Sequence, residues 1–228
     1  AHGSVRSEYL GKSESCGACH EGILHGMRIE KTFTEWAVSE FARRDVKCQD
    51  CHMLRYSGRA ATQGPFREIL RRHNFPGISL PPPGLPNRGY QEEETRFFLK
   101  TALRVSVLLD DSVQGGTEMP ITVTLKNSGT GHNFPSASFR QLWIEVTVLD
   151  AAGHPVFLSG NLDENGDLMD HHSELRPGAD KSLAVFADYF VDAAGKQVPY
   201  WFSTRVVERS LRSLEERKIY LDAQINLL

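Results

Sequence analysis

Cys16-Gly17-Ala18-Cys19-His20 and Cys48-Gln49-Asp50-Cys51-His52 are two copies of one pattern, Cys-x-x-Cys-His. Two thiols two residues apart, followed at once by an imidazole, form the arrangement that attaches a haem covalently. Each thiol adds to a vinyl group and the His ligates the iron. The spacing lets the backbone turn so that both sulfurs reach one porphyrin edge with the ring beneath its face. The motifs use all four cysteines of the chain, so none is left for a disulfide or a catalytic thiol. Paired zinc knuckles and redox dithiols are the competing readings. Neither requires a His after both second cysteines.

A c-type motif supplies one axial ligand, so a six-coordinate iron needs a second from elsewhere. A second repeat suggests its source: His73-Asn74-Phe75-Pro76 and His132-Asn133-Phe134-Pro135. Two haems and two such tetrapeptides make His73 and His132 the candidate distal ligands, set against the ordinary fate of a lone His as a core or loop residue. Gly129-Thr130-Gly131 ahead of His132 would permit close approach to a flat cofactor. Proximity in sequence favours pairing His52 with His73 and His20 with His132. His25, His2 and the pair His171-His172 compete as ligands, with a solvated or structural role favoured for each.

The 228 residues are 40% hydrophobic and 24% charged, a composition for one large or two modest globular domains. A net charge of −3 gives no sign of nucleic-acid binding. No apolar run approaches the roughly 20 residues of a membrane span. Haem attachment of this kind takes place outside the cytoplasmic membrane, so the expected location is periplasmic or extracellular. Ala1 is then the mature end left by removal of a signal peptide.

Residues 1–90 carry helical punctuation and both motifs. Thr32-Phe33-Thr34-Glu35 fits a capping box, and Phe33, Trp36, Ala37 and Phe41 follow at helical spacing. Gly64-Pro65 is predicted to open a helix with Phe66, Ile69, Leu70 and His73 on one face. A Pro-rich connector runs over 76–90, and a short acidic segment, Gln91 to Lys100, leads on. From Leu103 the period becomes two: Leu103–Leu108, Ile121–Leu125, Leu142–Val148, His154–Leu158, Leu183–Val191, Val198–Phe202 and Lys218–Ile225 read as strands. Arg205–Arg217 fits either a helix or a strand and turn. The expected fold is α+β: a small helical dihaem module over 1–90 and an antiparallel immunoglobulin-like sandwich over 91–228.

Asp163, Asn165, Asp167 and Glu174 are oxygen donors at EF-hand-like spacing, which makes calcium a candidate cofactor beside the two haems. Leu168 stands where that loop needs Gly, and Asn165-Gly166-Asp167 reads more simply as a hairpin turn.

At these residues the chain resembles the multihaem cytochrome c superfamily of anaerobic and respiring prokaryotes. The resemblance rests on Cys48-Gln49-Asp50-Cys51-His52-Met53, on Glu35-Trp36 with Ser39 ahead of it, and on Gly131-His132-Asn133-Phe134-Pro135 followed by Arg140 and Trp143. It implies distal ligation by His73 and His132, a helical haem module joined to an immunoglobulin-like domain, and electron transfer as the task. Redox proteins, other multihaem cytochromes or further copies of this chain are the implied partners. Relatives commonly carry four or more haems, and this chain has motifs for two. Two other functions stand beside the electron carrier: a subunit of an extracellular multihaem assembly, and a small haem reductase with one open iron.

Overall fold

The computed structural model describes residues 7–77, 79–110, 112–137, 139–168 and 180–225. The first motif lies in a short helix, α1 (Glu14–Gly17), and the turn after it. A hairpin follows, β1 (Gly22–Leu24) with β2 (Met27–Glu30). Then come three short helices, α2 (Thr32–Ala37), α3 (Glu40–Arg43) and α4 (Cys48–His52). Thr32 starts α2 rather than capping it, and Lys31 precedes it with no side-chain cap bond. Glu35 does not reach back to close a capping box, because its carboxylate is taken by a distant loop described below.

The helix expected over Phe66 to His73 is a strand. β3 (Arg55–Arg59) and β4 (Phe66–Arg71) pair antiparallel, with Arg55 opposite Arg71 and Arg59 opposite Phe66. Gly64 donates to the Ala61 carbonyl at 2.9 Å and closes the turn between them. Three apolar residues, Phe66, Ile69 and Leu70, are too short a pattern to specify a helix, and the nearby partner strand decided the outcome. His73 therefore sits beyond the end of β4. The acidic segment expected as a lead-in is a fifteen-residue helix, α5 (Arg88–Ala102). Pairs one turn apart hold it on the outside: Arg96 with Glu92 at 2.8 Å and Tyr90 with Glu94.

The C-terminal part is antiparallel β structure. β5 (Leu103–Leu109), β6 (Glu118–Asn127) and β12 (Glu216–Gln224) form one sheet in the order β12-β6-β5. β7 (Gln141–Trp143), β10 (Val185–Val191) and β11 (Arg205–Glu208) form a second, in the order β11-β10-β7. β8 (Val146–Leu149) and β9 (Pro155–Ser159) make a separate pair. The run Leu142–Val148 is thus two strands, broken where Gly160 approaches so closely that a Cβ would lie 2.3 Å from the Ile144 carbonyl. Val198–Phe202, expected as a strand, becomes a 3-10 turn at Tyr200–Phe202 after Pro199. Arg205–Arg217 resolves as strand, turn and strand.

Alternation along β6 explains the core. Met119, Ile121, Val123 and Leu125 point inward, where they meet Leu221 and Ala223 of β12, Phe186 of β10 and fully buried Leu211. Leu142, Val146, Val148 and Phe157 close over the same cluster. Asn127 sends its N–H to the Glu215 carbonyl at 2.9 Å, so odd-numbered positions of β6 bond to β12 and even ones face β5. Pro120 is even, and the β5 ladder ends at the pair Leu109–Ile121. Its missing N–H therefore costs no ladder bond.

The loop after β6 is fixed against α5. Gly129 donates to the Ala102 carbonyl at 3.0 Å, and a Cβ there would lie 2.0 Å from the Thr101 carbonyl oxygen. The expected reason for Gly at 129 and 131 was access for a flat cofactor. In the structure these two residues admit helix backbone and aromatic rings instead, since Gly131 packs on Phe41 and Trp36. Gly129→Ala is expected to cost roughly 2–3 kcal/mol through backbone displacement. Gly153→Ala, at a turn with φ +87 and open space, should cost about 1 kcal/mol. Urea midpoints of the two holoproteins measure the difference.

Candidate haem-binding site

The two Cys-x-x-Cys-His motifs are clasped to each other. Gln49, the residue after Cys48, is 2% exposed. Its amide donates to the carbonyls of Lys12 at 2.7 Å and Leu10 at 3.2 Å, and to Ser15 Oγ at 3.3 Å. Cys48 N–H donates to Ser13 Oγ at 3.1 Å. Burial raises the Cys48 thiol, and the adjacent Cys16 adds to the rise, so the leading cysteines of the two motifs lie side by side. Gly17, inside the first motif, leaves room for the Phe33 ring, which a Cβ would meet at 2.8 Å. Arg71 of β4 pairs with Asp50 at 2.8 Å and caps the end of α4 through the Met53 carbonyl at 3.2 Å.

His52 is the meeting point of the two His-Asn-Phe-Pro segments. Its Nδ1 lies 2.8 Å from the Pro76 carbonyl oxygen, in the first segment. Its ring centre is 6.3 Å from that of His132, in the second, with the planes 22° apart. His132 Nδ1 lies 2.8 Å from the Asn133 carbonyl oxygen. A carbonyl can only accept, so both Nδ1 atoms carry the proton and both Nε2 lone pairs stay free. Burial lowers the pKa of each imidazole, which favours the neutral form a metal binds. Two imidazoles on opposite sides of one metal, each bonded at about 2 Å, have ring centres roughly 6 Å apart. The donor set and its spacing fit a haem iron.

The other expected site residues are placed as follows. His132 has His52 as its ring neighbour, where His20 was the expected mate. His20 is exposed and lies within electrostatic reach of both His52 and His132. His73 is exposed, with its ring 6.0 Å from that of Phe75. His25 is exposed in the turn of the first hairpin, at φ 49. Asp163 accepts from the N–H groups of Asn165 at 2.8 Å and Asp167 at 2.9 Å, so its carboxylate organises a turn. Among the described residues no three His, Cys, Asp or Glu side chains gather as an all-protein metal cage. Glu174, His2, His171 and His172 lie outside the described residues.

The fold is similar to that of a penta-heme cytochrome c552 from Thermochromatium tepidum. The match has a TM-score of 0.61 at 20% identity and covers 96% of this chain. It takes in 46% of the cytochrome, so this chain spans less than half that protein's length. No family model matches the sequence, and no curated protein matches it. Among the described residues no helix is long and apolar enough to cross a membrane.

In this cytochrome-like fold the loop carrying His132 is held by charges that the motif reading passed over. Lys31, buried before α2, pairs with Asp188 of β10 at 2.9 Å and Glu208 of β11 at 2.6 Å. Glu35 accepts from Asn133 N–H at 3.1 Å and Ser136 Oγ at 2.8 Å, beside and just beyond His132. Burial pushes the Glu35 carboxyl up to about 7 despite these donors and Lys31 at 4.0 Å. Burial alone would lower the Lys31 ammonium, but Glu208 and Asp188 outweigh it and hold the group above its ordinary value.

Glu35 therefore keeps a proton in the folded protein that the unfolded chain gives up near 4.5. Its contribution to stability is complete below that value and fades as pH rises through about 7. The urea midpoint of the wild-type chain should fall between about pH 5.5 and about pH 8, and Glu35→Gln should flatten that fall. An equal slope in both proteins would place the titration elsewhere.

Proposed function

We propose that the chain is an electron-transfer protein carrying two covalent c-type haems. One haem is held by Cys16, Cys19 and His20, the other by Cys48, Cys51 and His52. The observation that carries this reading is the His52–His132 pair, with ring centres 6.3 Å apart and planes 22° apart. His132 is the distal ligand to the second haem, which departs from the pairing that sequence proximity favoured. His73 is assigned to His20 by elimination, because His52 already has a mate. Each haem, when bound, supplies a one-electron couple whose potential responds to ligand type and burial.

The protein's own part is to hold and insulate. Pro76 and Asn133 fix the tautomer and direction of the two imidazoles. The Gln49 clasp and the Cys16–Cys48 contact bring the attachment edges together, which supports close spacing of the two cofactors. With His on both sides, neither iron offers the open position that substrate chemistry needs. The reading also proposes two units, 1–90 and 91–228, the second an immunoglobulin-like sandwich. The shared core of the two three-stranded sheets supports that, and α5, which starts at Arg88, spans the boundary: Glu94 bonds Asn74 on one side and Ala102 bonds Gly129 on the other. Attachment chemistry of this kind implies export to the periplasm or beyond, and redox proteins as partners.

Protein mass and the pyridine haemochrome of the exported protein should give two haems per chain. Replacing Cys16 and Cys19 together with Ala should leave one. The reduced protein should bind little carbon monoxide at neutral pH. Strong binding by the wild type would mean an open iron and a reductase-like function.

A further inference from the structure

Strand β5 carries the hydrophobic face of its sheet one strand beyond what covers it. Val105, Val107 and Leu109 lie opposite Leu125, Val123 and Ile121, so they share the face that β6 buries. The β6 residues are at most 4% exposed, yet Val105 is 60%, Val107 55% and Leu109 47% exposed. On the other face Leu108, 73% exposed, flanks Thr122, whose opposite neighbour is exposed Tyr220. Among the described residues no strand pairs with the outer side of β5. Its register is unbroken by a bulge, and it contains neither Pro nor Lys. The usual protections of an edge strand are missing.

Backbone parity says which groups face outward. Odd positions of β6 bond to β12, so even positions bond to β5, and the residues opposite them are Arg104, Ser106 and Leu108. Leu103, Val105, Val107 and Leu109 then direct their N–H and C=O groups to the open edge.

We propose that β5 pairs antiparallel with β5 of a second copy of this chain, about a two-fold axis through Val107. In that register Val105 faces Leu109 of the partner subunit, and the outward backbone groups of Val105, Val107 and Leu109 fall in hydrogen-bonded pairs. Arg104 and Asp110 are the two charges of the described segment Leu103–Asp110. They come opposite each other twice, at positions where side chains approach most closely. Sliding the strands by two positions sets Arg104 against Leu108 or Ser112 and loses both pairs. The edge is therefore complementary to itself in one register, as a two-fold interface requires. None of this depends on the haem reading.

The test is light scattering and sedimentation of the full holoprotein over a concentration series. The mass should rise toward twice that of the 25.6 kDa chain with its haems. Arg104→Asp alone, or Asp110→Arg alone, should weaken association roughly tenfold, and the double exchange should recover it to within about threefold. Val107→Lys should give a monomer with an unchanged haem spectrum. A monomer at every concentration would overturn the proposal. So would a dimer indifferent to the single reversals, or a double exchange that fails to recover.

Discussion

His52 is bonded through Nδ1 to Pro76, and its ring centre lies 6.3 Å from that of His132. Residues from three separated stretches of chain meet there: a motif helix, the segment after the β3–β4 hairpin, and a loop between strands of the C-terminal sheets. An imidazole that is to serve a metal must be neutral, tautomerically fixed and aimed. The two carbonyl bonds fix the tautomer, and burial supplies the neutrality. The position of the β structure relative to the motifs follows from this meeting, because a shift of the His132 loop would separate the rings.

The rest of the contact between the two parts serves to hold that loop. Lys31, Asp188 and Glu208 form a buried ionic cluster, and Glu35 grips the backbone beside His132. Taking such charges out of water costs several kcal/mol per ion, and pairing offsets the cost only with good geometry. The cluster is therefore better understood as fixing one arrangement than as a large source of stability. Gly131 adds the steric half, since a Cβ there would sit tightly against Phe41 at 3.1 Å and Trp36 at 3.3 Å. The hydrophobic core around Leu211 and the odd positions of β6 supplies the cohesion on which this arrangement rests.

Much of this was legible in the residues. The strict alternation of β6 announced a strand. Of the residues that the Cys-x-x-Cys-His and His-Asn-Phe-Pro repeats pointed to, the structure brings His52, Pro76 and His132 together, while His20 and His73 are exposed. That His52 is the ring neighbour of His132 was not legible. Sequence proximity favours joining His52 to the nearer segment, and the contact seen there runs from His52 Nδ1 to the Pro76 carbonyl. The strand at Phe66–Arg71 was hidden because Phe66, Ile69 and Leu70 are spaced as on a helix, and its partner strand offers only Tyr56 as an apolar cue. Helix α5 was hidden by its polarity, although Glu92 with Arg96 and Tyr90 with Glu94 are spaced one turn apart. Glu35 fits a capping box in sequence, and a loop nearly a hundred residues away took its carboxylate instead. Gln49 gave no signal, since nothing in a motif position foretells burial.

The central claim is that His52 and His132 ligate one iron across the two parts of the chain. Paramagnetic resonance of the oxidised His132→Gly holoprotein, with and without added imidazole, tests it most directly. The account expects one of two low-spin haems to change, imidazole to restore its signal, and the other haem to stay as it was. Two unaltered low-spin signals without imidazole would contradict it.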